Sequence, residues 1–167
     1  MIFENKPDKA SDLAAVLRAW ALEKTEQGEM EVVLEKCVKS YTRFKTKRMS
    51  EIMPDAENST SGWGTKNYYF YEIRNNEGNE FFIQLSLSSK DIPEHLREMC
   101  DRINVHFPSR QQKANWQWRI PFVTKHSKVG EEISEDKVFE QLNKRFEEIK
   151  AFEDKLIAFL DGSMIQE

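Results

Sequence analysis

A chain of 167 residues with 39% hydrophobic and 32% charged residues, and only five prolines and six glycines, has the core-forming capacity of one domain and the composition of a folded, helix-rich protein rather than a disordered one. The net charge of −4 excludes a protein wholly devoted to coating nucleic acid, yet acidic residues crowd 131–154 while basic ones gather at 36–48 and 110–128. No basic-then-apolar leader and no apolar run of membrane-span length is present, so the expectation is a cytoplasmic protein without a membrane partner, and Cys37 and Cys100 read as independent reduced thiols.

Asp8 and Ser11 are candidate caps, and Leu13, Val16, Leu17 and Trp20 recur at helical spacing, which predicts a first helix over 10–26 broken at Gly28. Met30, Val33, Leu34, Cys37, Tyr41 and Phe44 form a similar stripe and predict a second helix over 29–52, stopped at Pro54 because the residue before a proline avoids helical backbone. Together the two predict a helical hairpin over 1–54. Residues 55–66 are small, polar and glycine-containing, the composition of a loop.

Beyond the loop the period changes to two. Segments 68–73 and 81–87 flank Asn75–Asn79, whose Gly and Asn residues tolerate positive φ, and predict an antiparallel hairpin. Phe81, Ile83, Leu85 and Leu87 fall on one side and Phe82, Gln84 and Ser86 on the other, as in a half-buried sheet. A third helix starts near Ser89 with Pro93 in its first turn, carries Leu96, Met99, Cys100 and Ile103 on one face, and ends before Pro108. Trp116, Trp118, Ile120 and Phe122 alternate with polar residues in a third strand, where Pro121 favours an edge.

Val138, Phe139, Leu142, Phe146, Ile149, Phe152, Leu156, Phe159 and Leu160 mark one face of a last helix over about 134–161, with Gly162 as its stop. At about 1.5 Å per residue it spans roughly 40 Å, longer than three strands require, so its end is expected to project and offer a homodimer surface. The class predicted is α+β: a small antiparallel sheet, hairpin plus third strand, packed with an N-terminal helical hairpin and a long C-terminal helix. One domain over 1–167 is divided into 1–54, 63–123 and 134–162.

The chemistry-bearing residues point to binding rather than catalysis. His95, Cys100 and His106 lie five and six apart on one predicted helix and scatter round it, so no metal site is predicted. Neither cysteine sits at a glycine-rich elbow or an evident helix N-terminus as a nucleophile would. A metal-dependent nuclease of the PD-(D/E)xK pattern needs an acidic-x-Lys triplet on a strand. Glu72-Ile73-Arg74 has arginine in the lysine place, and the literal triplets lie at Glu4, Glu135, Glu148 and Glu153, away from the strands. No catalytic residue and no cofactor is therefore expected.

On the predicted second helix Lys36, Lys39, Arg43 and Lys47 fall within about 80° of one another, a basic ridge suited to phosphates and extendable by Arg110, Lys113 and Arg119. The plainer reading is a solvated face balanced by the acidic last helix. Tyr68, Phe70 and Phe82, with Trp116 and Trp118 of the third strand, are candidate aromatic contacts for unpaired bases or a protein surface, against the alternative that helices cover them.

The segment from Gly62 to Ile73, the strand Ile83–Leu87, and Trp116-Gln117-Trp118-Arg119 followed by a long Phe/Leu helix resemble the C-terminal region of bacterial proteins of the PD-(D/E)xK nuclease superfamily. The resemblance covers about 60–160, has no diagnostic motif and transfers no catalytic residue. It implies a setting of nucleases and defence, in which a non-catalytic module binds nucleic acid or a nucleoprotein nuclease, in its sharpest form as an inhibitor of an RNA-guided nuclease. The alternatives are a structural or dimerisation module associated with a nuclease, and a degenerate nuclease.

Overall fold

The Asp8 carboxylate accepts hydrogen bonds from the Ser11 backbone N–H (3.2 Å) and hydroxyl (2.7 Å), and so caps helix α1, Lys9–Glu26. It opens the computed structural model, which describes residues 8–56, 61–107 and 115–165, with side chains to 162. α1 buries Leu13, Ala14, Leu17, Trp20 and Ala21, and the chain leaves it through Gly28 at φ +76°, backbone that disfavours a side chain.

The predicted second helix is corrected. Residues 31–52 form strand β1, Glu31–Val32, a single 3-10 turn at Leu34–Lys36, strand β2, Tyr41–Lys45, and a short helix α2, Lys47–Ile52. The stripe that looks helical also reads at period two, because Thr42, Phe44 and Thr46 are buried while Tyr41, Arg43 and Lys45 are half-buried. β-Branched and aromatic residues fit that pleated surface, and pairing with two neighbouring strands outweighs helix propensity. The helical hairpin therefore consists of α1 alone, followed by two added strands.

Strands β3, Tyr69–Asn76, and β4, Glu80–Ser88, form the predicted hairpin through Glu77 and Gly78, both at positive φ. A side chain at Gly78 would also meet the Lys9 backbone at 2.7 Å, so the turn seats the start of α1. Helix α3 (Glu94–His106), strand β5 (Trp118–Val123), the two-residue strand β6 (Ser127–Lys128) and helix α4 (Glu135–Ile165) complete the described chain. The sheet is antiparallel with order β1-β2-β3-β4-β5, and β6 adds to β4 beside β5.

A bulge between Leu85 and Leu87 pairs Leu85 with Phe122 and Leu87 with Arg119, so the alternation predicted along β5 is broken. Arg119 and Phe122 share the helix-side face, while Trp118 and Val123 turn to the other. Pro121 sits at this irregularity on the edge strand, where its missing N–H costs no ladder bond.

The core lies between one sheet face and the helices. Trp20 meets Phe44 and Phe146 edge-on at 6.3 and 5.8 Å, Phe44 stacks on Tyr71 at 5.4 Å, and Phe122 stacks on Phe152 at 4.4 Å. Cys37 and Cys100 are free thiols, and burial pushes that of Cys100 up to about 12. Gly162 does not end α4. The stripe expected to project is covered, since Leu156 is fully buried, Phe107 meets Phe152 at 5.2 Å and His106 stacks on Phe159 at 4.2 Å.

Candidate functional site on the open sheet face

Alternation puts Tyr41, Arg43 and Lys45 of β2, Phe70, Glu72 and Arg74 of β3, and Phe82, Gln84 and Ser86 of β4 on the face turned away from the helices. Among these nine, Phe70, Glu72, Gln84 and Ser86 are buried, Tyr41, Arg43, Lys45 and Phe82 are half-buried, and Arg74 is exposed. Register then aligns two rows across the strands: Tyr41, Arg74 and Phe82 in one, and Arg43, Glu72, Gln84 and Val123 in the next.

Glu72 anchors the second row and is only 4% exposed. Its Oε2 accepts from Arg43 Nε at 2.7 Å, and its Oε1 from Gln84 Nε2 at 3.0 Å and from the Ser86 hydroxyl. Arg43 spends a further donor on the Lys36 carbonyl at 3.0 Å. A buried carboxylate that lacked these bonds would be strongly disfavoured, so the row holds itself in one arrangement.

The first row extends this anchor into a chain of alternating cations and rings. The Arg43 guanidinium lies 4.6 Å from the Tyr41 ring centre, Arg74 lies 5.4 Å from Tyr41 and 5.6 Å from Phe82, and the His126 imidazole stacks flat on Phe82 at 4.2 Å. His126 Nδ1 is 3.4 Å from Glu80 Oε1. Arg74 differs from Arg43 in two respects: it is exposed, and among the described residues its guanidinium lies near two rings without an ion pair to a carboxylate.

At the other end of the face, Trp63 meets Phe70 and Trp118 edge-on, each at 4.8 Å. Trp63 and Trp118 are half-buried, and Phe70 is fully buried.

The basic ridge does not exist as one surface. Lys36 is half-buried in the 3-10 turn and Arg43 is tied to Glu72, whereas Lys39 is ion-paired to Asp8 at 2.7 Å and Lys47 is exposed at the start of α2. The Lys39 ammonium, with the Ser11 bonds, holds the Asp8 carboxyl well below the usual carboxylate range. Arg110 and Lys113 lie outside the described residues. Arg119 is on the helix side, 2.5 Å from Asp101 and 4.4 Å above the buried Trp116 ring, whose Nε1–H also donates to Asp101. Tyr68 is buried with its hydroxyl on the Asp91 carbonyl (2.7 Å), Phe70 and Trp116 are buried, and Phe82, which carries Arg74 and His126 against its ring, and Trp118 are half-buried.

Sequence reasoning missed Tyr41, Trp63, Arg74 and His126. The signal for Arg74 was present: once β3 is a strand, Glu72 and Arg74 two apart must share a face, which makes the failed acidic-x-Lys triplet a pair of neighbours on one surface. A cleft of about 440 Å³ lined by Gly28–Glu31, Lys45–Lys47, Ser50 and Glu51 adjoins this face at Lys45. Among the described residues no three His, Cys, Asp or Glu side chains gather as metal ligands, and no helix is long and apolar enough to cross a membrane. Comparison with family models, curated proteins and solved structures finds no match for the chain.

Proposed function

We propose that this chain is a non-catalytic binding module that takes single-stranded nucleic acid on the sheet face turned away from the helices, with Arg74 as a phosphate contact. The observation that carries this reading is the state of Arg74, whose guanidinium is flanked by Tyr41 and Phe82 and has no carboxylate partner among the described residues. Rings over the planar faces of a guanidinium restrain it while leaving its N–H edge available, and that edge matches the oxygens of a phosphate. The net charge of −4 opposes long-range attraction of a polyanion, so affinity has to come from short-range contacts of this kind. A guide or target strand in an RNA-guided nuclease, met in bacterial defence or phage counter-defence, is the sharpest form of the proposal and rests on the resemblance over 60–160 alone.

Fluorescence anisotropy with short labelled RNA and DNA strands tests the reading. Arg74→Gln is expected to weaken binding about tenfold, the worth of one charge-assisted hydrogen-bonding contact, and to lower the slope of log affinity against log salt by about 0.7. A parent protein that binds neither strand at low salt, or a variant that binds as the parent does, removes the proposal.

Catalysis is tested separately. With Mg²⁺ or Mn²⁺ the protein is expected to leave RNA and DNA intact, because Glu72 is buried against Arg43 and Asp55 is exposed and accepts from Asn67 Nδ2 at 2.6 Å. Specific cutting abolished by Asp55→Ala or Glu72→Ala would make the chain a degenerate nuclease instead.

A further inference from the structure

We infer that Trp63 and Trp118 form a base-stacking subsite on the same face, so that the ligand is recognised by its unpaired bases as well as its phosphates. This rests on the open-face reading and goes beyond it, because Trp63 is assigned a role and the bases become part of what is bound.

The two tryptophans are held in place rather than left loose. Ser61 N–H donates to the Thr65 carbonyl at 2.7 Å and Gly64 N–H to the Ser61 carbonyl at 2.8 Å, closing a turn that passes through Gly64 at φ +70° and presents Trp63. Gly62 N–H donates to the Ser88 hydroxyl at 3.1 Å. A side chain at Gly62 would lie 2.5 and 2.7 Å from two ring atoms of Trp118, so only glycine lets the turn come this close to that indole. The result is a pair of edge-to-face indoles, of which Trp63 also meets the buried Phe70 ring edge-on.

Rigid, half-open indoles give contact area at little cost in side-chain entropy, and stacking on them is open to any base because every base has a π-face. The occupant follows from what shares the face. Arg74 lies four residues from Phe70 on β3, about 13 Å at 3.3 Å per residue. A strand with a phosphate at Arg74 therefore has its neighbouring bases within reach of the indoles, whereas a duplex keeps its bases stacked inside. Between the two ends lies the Glu72 row, whose carboxylate oxygens are already occupied by Arg43, Gln84 and Ser86.

The test uses the full chain and three probes: single-stranded oligouridine, a duplex of mixed sequence, and inorganic polyphosphate, which offers phosphates without bases. The parent is expected to prefer the single strand to the duplex. Trp63→Leu is expected to weaken oligouridine binding about tenfold while leaving the salt slope and the polyphosphate affinity unchanged, and Trp63→Phe is expected to restore most of the loss. Arg74→Gln, by contrast, should weaken both oligouridine and polyphosphate.

Circular dichroism melts show whether Trp63→Leu is folded. If it is not, the inference stands or falls on whether Trp63→Phe, at parental stability, keeps the preference for single strand. Equal binding of oligouridine by the parent and Trp63→Leu, with Arg74→Gln still weakened, overturns the stacking subsite and leaves the phosphate reading intact. A parent that binds no probe removes both, and equal affinity for duplex and single strand also overturns the inference.

Discussion

Arg43→Gln destabilises the fold by about 3 kcal/mol, the cost of removing one partner from a buried ion pair. The Arg43 and Glu72 side chains are 15% and 5% exposed, and the bond between them is 2.7 Å. Without the guanidinium, Glu72 keeps its bonds from Gln84 and Ser86 but loses the only cation within ion-pairing distance among the described residues. The carboxylate then bears a desolvation cost that two neutral donors offset only in part. Glu72→Gln combined with Arg43→Gln places two amides side by side and is expected to recover most of the loss, because neither side chain then carries a charge. Lys47→Gln, on an exposed residue at the start of α2, should stay within about 0.5 kcal/mol of the parent. Urea denaturation measures all three, and a loss below about 0.5 kcal/mol in Arg43→Gln would mean that the pair behaves like a surface one.

The same variant disturbs the binding face at one remove, because Arg43 lies over Tyr41 and Tyr41 bounds Arg74. Changing Lys36, Lys39, Arg43 and Lys47 to Gln together would therefore mix a buried-pair defect with any loss of phosphate contacts. The separable test of the face is Arg74→Gln, because among the described residues the Arg74 guanidinium lies near two rings without an ion pair to a carboxylate.

What could be read in advance follows the range of the interactions involved. α1, the β3–β4 hairpin, α3 and α4 come from strong local periodicity, with Asp8 capping one helix and Gly78 closing the turn. β2 departs from the expected helix because Phe44 fits the helical stripe and also, with Thr42 and Thr46, an alternating one, and only pairing with β3 decides between them. The candidate site depended on that decision. As helix residues, Lys36, Lys39, Arg43 and Lys47 make a ridge; in the turn-and-strand arrangement Lys39 pairs with Asp8, Lys47 starts α2, and Arg43 turns to Glu72 and the Lys36 carbonyl. The expected projection of the α4 stripe fails for a similar reason, since α3 and Phe107 after it return over Phe152 and Phe159. Nothing local in the sequence states which side of β5 Arg119 takes, because a bulge sets it.

Glu153 supplies the second large effect and a pH signature. It lies on α4, 2% exposed, and its Oε2 accepts from the Thr46 hydroxyl at 2.5 Å and the Tyr71 hydroxyl at 2.9 Å. Thr46 also caps α2 by accepting from Met49 N–H, so one carboxylate ties α4 to β3 and to the start of α2. Glu153→Leu leaves both hydroxyls without that acceptor in a buried site, and an expected cost of about 3 kcal/mol combines two partly orphaned donors with a poorer fit. Glu153→Gln behaves differently, because its carbonyl oxygen can take both bonds without ionising. Burial raises the Glu153 pKa against the opposing pull of its two hydrogen bonds. The folded state therefore holds this proton more tightly than the unfolded chain does, so the group's contribution is fully present below the unfolded value, about 4.3, and is lost as pH rises through the raised folded value. Relative to the parent, Glu153→Gln is expected to gain stability as pH rises from acid to neutral, and the two should converge in acid. Urea denaturation of both across that range measures the difference, and a constant offset between parent and variant would show that Glu153 does not titrate with a raised pKa in the fold.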